Sequence, residues 1–371
     1  MRRRRALPLQ LCLLVVGCGY YDSSLLAPAP GAAGSGGGAG GTTQGCAHAF
    51  PPDKPAVKNA GGDLDLVFSV KSLTFGGDGD GGTRVVGWDI DKTCTCQGEN
   101  DSCLEPSWAN MKHCDGPEGR DNGFGALISE ISGMIPDFGE SSWNEKMTRG
   151  AWGLMFRIRG YNGLPDDDQV ELDWYIPDAY WAIIEGQDGG KPAPKYDGTD
   201  VWPIRGFCVN NNDINQSKFV DTKAYISAGV LVGMLPSGVI DSDGWISMVL
   251  TDAYLTAKVV QVGSAWELHE GNIAAVWTLE DIFSQLGYLT ISGISMCADP
   301  KNQIYQAVKS MICKHTDIYR SRGTPTTACD SLSLGIGFDA VPAKLGALTP
   351  VTGKTMTCSD AENPANDSCD K

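Results

Sequence analysis

AWGLMFRIRGYNGLPDDDQVELDWYI, residues 151–176, decides the fold class. Trp152, Leu154, Phe156 and Ile158 fall at every second position, Gly160 to Asp168 is rich in turn formers, and Val170, Leu172, Trp174 and Ile176 take up the alternation again. A period of two places those side chains on one face of an extended chain, so the stretch predicts a hairpin of two antiparallel strands. Working outward, Leu64, Leu66, Phe68 and Val70 share one parity, and TRVVGWDI (83–90) reads as the next strand after the turn GGDGDGG. Further short strands are expected at 180–185, 199–208, 219–226, 228–235 and 245–263, and SLSLGIGFDAVPAKLG (331–346) reads as a closing strand. Helical spacing is limited to Phe124, Leu127, Ile128 and Ile131, to Ile282, Phe283 and Leu286, and to Ile304, Val308, Met311 and Ile312. Asp121 and Thr278 stand where the first two helices would be N-capped. Dominant strands with no βαβ alternation predict a mainly β protein: an antiparallel β-sandwich, jelly-roll-like, with two or three short helices over its edges.

The N-terminus reads as an export signal. Four arginines, Arg2 to Arg5, precede an apolar run that is too short to span a bilayer. Val15-Val16-Gly17-Cys18 has the form of a bacterial lipobox, which makes Cys18 the lipidated first residue of the mature chain and 1–17 a signal peptide. Residues 18–45 are then a Gly/Ala-rich tether without apolar periodicity, with a reach of about 25 Å for some 20 flexible residues. The folded body is expected over 46–371, and GQDGGKPAPKYDGTD (186–200) is where a subdivision would fall. Removing Arg2 to Arg5 takes the formal charge from −16 to −20, which argues against a nucleic-acid partner. The expected address is the outer membrane or cell surface, with the membrane reached through the lipid anchor.

Export also assigns the cysteines. Of 13, Cys12 leaves with the signal and Cys18 takes lipid, so the remainder is odd in number and forms at most five bridges. The candidates are Cys94, Cys96, Cys103, Cys114, Cys208, Cys297, Cys313, Cys329, Cys358 and Cys369, with Cys46, at the end of the tether, as the expected unpaired thiol. Four of them lie in the polar stretch Gly87 to Gly125, which has too little apolar surface to order itself. An alternative reading joins Cys94, Cys96, Cys103, Cys114 and His113 in a zinc site, although the spacing is not a usual one. The preferred cation site is Asp89 and Asp91 with Asp121 and Asn122. These oxygen donors on irregular backbone suit Ca2+. Asp78-x-Asp80 and Asp241-x-Asp243-Gly244 echo the start of a calcium loop but lack its closing Glu. The acidic turn Asp166-Asp167-Asp168 is a weaker cation candidate.

Catalytic motifs are sparse. His48, His113, His269 and His315 are scattered, and neither G-x-S-x-G nor a phosphate loop is present. Glu171-Leu172-Asp173 puts two carboxylates about 7 Å apart on one strand face. The string resembles the Glu-x-Asp strand of laminarinase-like jelly-roll hydrolases. That resemblance implies Glu171 as nucleophile and Asp173 as its helper, but Tyr175 and Ile176 stand where the acid/base would be. Ten tryptophans and eleven tyrosines, among them Tyr180/Trp181 and Tyr161 beside Asn162-Gly163, make a glycan-binding face the main alternative to catalysis. The lipobox, YYDSSLL, GWDIDKTCTC, GRDNGFG, RGYNG and CDSLSLGIGFDAVPAKLG together resemble a group of uncharacterised myxobacterial lipoproteins, which implies location rather than mechanism. The expectation is a lipid-anchored surface protein, a binding or structural envelope module with a glycan or surface-protein ligand. A carbohydrate-active hydrolase using Glu171 and Asp173 is the alternative.

Overall fold

The computed structural model describes residues 46–76, 85–109, 112–182, 191–242, 246–291, 293–321, 323–350 and 355–370. The signal peptide, Cys18, the tether, Asp78, Asp80, Asp243 and Gly244 lie outside the described residues. In chain order the elements are β1 (Leu64–Thr74), α1 (Gly123–Met134), α2 (Glu140–Thr148), β2 (Met155–Tyr161), β3 (Asp167–Tyr175), β4 (Val201–Arg205), β5 (Phe219–Ser227), β6 (Val230–Ser242), β7 (Ile246–Val262), β8 (Ala265–Thr278), α3 (Leu279–Leu286), β9 (Thr290–Ile291), β10 (Ile294–Ser295), α4 (Gln303–Lys314), β11 (Ser331–Pro342) and β12 (Lys344–Thr349).

The mainly β, antiparallel, disulfide-stapled body expected from the sequence is present. Eight strands form one antiparallel sheet in the order β1-β2-β3-β5-β6-β7-β8-β11, and β11 pairs with β1 to close it. Its opposed layers are therefore walls of a single barrel. Neighbours follow chain order all the way round, so the crossing connections of a jelly-roll-like sandwich are replaced by an up-and-down meander. Hairpins such as β6–β7, paired from Val230↔Lys258 to Ser242↔Ile246, make that order the local choice. β4 and β12 pair in parallel in a separate two-stranded sheet.

The hairpin that decided the class is β2–β3, in register from Met155↔Tyr175 to Arg159↔Glu171. Its apolar parity supplies the core: Phe156 packs edge-on against Trp174 and tilted against Phe338, each at 5.2 Å between ring centroids. Burying side chains of this size contributes about 2–3 kcal/mol each. The Phe338 ring lies where a Cβ on Gly271 would come within 2.4 Å, so only glycine fits at that point of β8.

Sequence and structure part at several elements. Residues 85–89 are not a strand, because Gly87 spends both backbone groups on the Asn272 side chain rather than on a ladder. Residues 180–182 turn instead of extending. β8 was not expected, since Gly271-Asn272 breaks its alternation and Ala274 to Trp277 are buried on both faces. α2 brings the α-helices among the described residues to four; it buries only Trp143 and Met147, too little periodicity to read.

Five disulfides hold the periphery: Cys46–Cys94, Cys96–Cys114, Cys103–Cys329, Cys297–Cys358 and Cys313–Cys369. Cys46 is paired, contrary to expectation, and among the described residues the free thiol is Cys208. The reason is burial. Cys208 is fully enclosed with Sγ directed at the Ile176 carbonyl, out of reach of a partner. The last two bridges clamp the C-terminal tail to both sides of α4, where Asp367 also accepts from Tyr305 Oη (2.7 Å) and pairs with Lys309 Nζ (2.8 Å).

Candidate functional site

The pairing of β1 with β11 is incomplete, and the acidic loop fills the gap. β1 reaches only the Gly337 end of β11 and Ser331 makes a single antiparallel bridge to Ile318, so Leu332 to Ile336 lack a strand on that side. Asn122 Oδ1 accepts the Gly335 N–H at 2.8 Å, and Asp317 Oδ1 accepts the Ser333 N–H at 2.8 Å. Those two side chains stand in for the missing strand. Asn122 also caps α1 through Gly125 N (3.1 Å), and its Nδ2 donates to the carbonyls of Phe75 and Gly76. The cap is thus Asn122 rather than Asp121, and with both ends of its amide engaged, Asn122 is removed from the expected cation ligands.

Asp121, freed from capping, turns inward. Its backbone N–H donates to Trp88 O (3.1 Å), which lays it beside Gly87–Asp89. A Cβ on Gly87, whose φ is +93°, would meet Asp121 O at 2.3 Å, so the close approach requires glycine. Asp121 Oδ2 accepts from Ile90 N (2.7 Å) and Asp91 N (3.4 Å), while its Oδ1 is buried and accepts nothing. Asp91 Oδ1 accepts Thr93 N at 2.8 Å. Asp89 Oδ1 accepts the same N–H at 3.1 Å, and its Oδ2 contacts His48 Nδ1. One oxygen from each of Asp89, Asp91 and Asp121 lies within 4.8 Å of the others. Three of the four expected cation residues are therefore brought together.

Two more carboxylates stand behind them. Asp115 accepts Thr95 N at 2.5 Å, and Asp317 takes Gly123 N (3.1 Å) and the Ser333 hydroxyl. Burial, and then the neighbouring negative charges, push Asp91 up to about 6 and Asp115 up to about 8. Burial is the first cause for Asp121 and Asp317 as well, and raises both above the ordinary carboxylate range. Asp89 is raised by burial despite its contact with His48, and His48 is raised chiefly by its hydrogen bond to Asp89. A largely buried cluster of oxygen donors short of positive charge can hold protons or a hard cation.

Covalent bonds frame the cluster. Cys46–Cys94 brings the first described residues against it, with Asp89 N donating to Ala49 O (3.0 Å). Cys96–Cys114 closes the loop on itself, and Cys103–Cys329 ties it to the segment before β11. The zinc reading of Cys94, Cys96, Cys103, Cys114 and His113 fails because all four sulfurs are spent in disulfides. His113 faces the Lys314 carbonyl. His48 and Asp317 were missed in the sequence. Asp317 lies 196 positions beyond Asp121, and only barrel closure brings it near.

The other candidates sit elsewhere. Glu171 and Asp173 both hold the Arg159 guanidinium, Asp173 through Nε at 2.9 Å, and Asp173 is buried. Tyr175 donates to Ile214 O (2.8 Å), under the loop that precedes β5. The acidic turn is used internally: Asp166, Asp167 and Asp168 accept backbone N–H groups of Ala228, Asn162 and Asn59. Asp241 pairs with Arg205. Tyr161 is buried and bonded to Leu164 O, and Tyr180 packs on Trp202, so neither forms an open platform. Trp108 does. It is 50% exposed, beside a cleft of about 310 Å³ that Gln306, Lys309, Ser310 and Asp370 share.

No protein-family model, curated protein or solved structure matches the chain.

Proposed function

We propose that the chain is an exported module of the cell surface, lipid-anchored through Cys18, that binds a surface ligand rather than transforming one. Multiple disulfides suggest an extracytoplasmic protein. The observation that carries the binding reading is the Trp108 cleft, which a half-exposed indole lines together with Gln306, Ser310, Lys309 and Asp370. An indole face against the C–H face of a sugar ring, with polar groups for its hydroxyls, makes a glycan the ligand class that fits best. The disulfide Cys313–Cys369 at the cleft keeps those groups in place.

Affinity electrophoresis through gels cast with envelope polysaccharide tests this reading. Wild-type protein should be retarded, and Trp108→Ala, at an exposed position, should fold normally and lose the retardation. Equal mobility of the two proteins in every polysaccharide tried would refute a glycan role for Trp108. For the anchor, radiolabelled palmitate should enter the wild-type chain and not Cys18→Ala.

A further inference from the structure

We infer that a calcium ion binds between Asp89, Asp91 and Asp121, at a site separate from the Trp108 cleft and independent of its function. Clustered acids alone would not carry this. Asp121 adds a second observation: it is 1% exposed, and its Oδ1 accepts no hydrogen bond. Charges around that carboxylate come from Asp91, Asp115 and Asp317, all of the same sign. Among the described residues, Asp91 and Asp121 have no Lys or Arg ion pair; His48 contacts Asp89, and His113 lies near enough to Asp317 to act on its charge. A buried anionic oxygen facing like charges needs a positive partner, and a water molecule brings none.

The donor set chooses the ion. Asp89, Asp91 and Asp121 each supply a carboxylate oxygen to the gap, carried on irregular backbone with φ of +64° at Lys92, and the nearby sulfurs are in disulfides. Oxygen ligands of loose geometry suit Ca2+, whereas Zn2+ prefers nitrogen and sulfur and Mg2+ requires a near-ideal octahedron. Backbone N–H groups of Ile90 and Thr93 hold one oxygen of Asp121 and one each of Asp89 and Asp91, which orients the carboxylates before the ion arrives. The bound ion would fasten the loop at the point where Ala49 and His48 join it.

The test is competition with a chromophoric calcium chelator, using full-length protein in detergent after removal of divalent ions, at pH 7.5. Wild-type protein should take up one Ca2+ per chain with Kd of about 10⁻⁴ M or tighter, in the range of extracellular modules, and Mg2+ at equal concentration should bind more weakly. Asp91→Asn, at a partly exposed position, and Asp121→Asn should each weaken uptake at least tenfold. Glu145→Gln, an exposed acid on α2, should leave it unchanged. Folded wild-type protein that takes up no calcium would overturn the inference, as would uptake of unchanged affinity in both Asn variants.

Discussion

Cys103 and Cys329, 226 residues apart in the chain, are joined by a disulfide beside the place where Leu104 N donates to Thr327 O and Cys329 N to Leu104 O. The bond ties the acidic loop to the segment leading into β11, the strand that closes the barrel. A bridge across so long a separation removes much of the entropy of the unfolded chain. Replacing both cysteines by serine should cost about 2–5 kcal/mol in denaturant unfolding. An unchanged midpoint would mean that the loop's hydrogen bonds hold it without the bond.

Cys208 provides a second test. Burial pushes its thiol up to about 12 and encloses it, so it should not react with a thiol reagent in the native protein. In denaturant, without reductant, mass spectrometry should find modification at Cys208 and at no other described cysteine. Labelling of Cys46 would contradict the pairing with Cys94.

Acid sensitivity should arise in part at His315, the C-cap of α4. Burial holds its imidazole below the ordinary 6.5, helped by the nearby charges of His113 and Lys314 and opposed by Glu130, whose Oε2 lies 2.6 Å from Nε2. The unfolded chain therefore takes up a proton near 6.5 that the folded chain resists, and this contribution to stability falls as pH drops below that value. His315→Gln should narrow the loss of stability between pH 7.5 and 5.5 relative to wild type. An equal loss in both proteins would assign the acid sensitivity elsewhere.

Asn122 joins two roles, helix cap and substitute strand. Asn122→Ala should destabilise by about 2–4 kcal/mol, since it removes the cap and leaves the Gly335 N–H without its acceptor. Asn122→Asp keeps the acceptor but loses the two bonds from Nδ2 and adds charge beside the acids, so it should also destabilise. Thermal unfolding of both variants checks this, and a neutral Asp variant would show that only the acceptor matters.

Much of the scaffold is written locally. The β2–β3 hairpin announces itself because its core positions alternate without a break, α3 because apolar spacing coincides with the cap Thr278, and α4 because Ile304, Val308, Met311 and Ile312 recur at helical spacing; its cap, Asn302, shows only in the structure. Asp89, Asp91 and Asp121 were recognisable as a group because one polar loop carries all three. What lies beyond local reading is whatever closure creates. The approach of Asp317 and the choice of Asn122 over Asp121 as cap depend on β11 lying uncovered next to α1, and the partner of Cys46 lies 48 residues further along the chain. Glu171 and Asp173 looked free on an isolated strand, and the neighbouring strand places Arg159 between them.

The most direct measurement of the central claim is diffraction from crystals grown in calcium, recorded at a long wavelength where calcium scatters anomalously. The predicted result is an anomalous peak, distinct from those of the Cys and Met sulfurs, ringed by oxygens of Asp89, Asp91 and Asp121, with Asp121 Oδ1 now engaged. Absence of that peak, with the three carboxyl groups close enough to share protons, would show that protonation rather than a cation neutralises the loop.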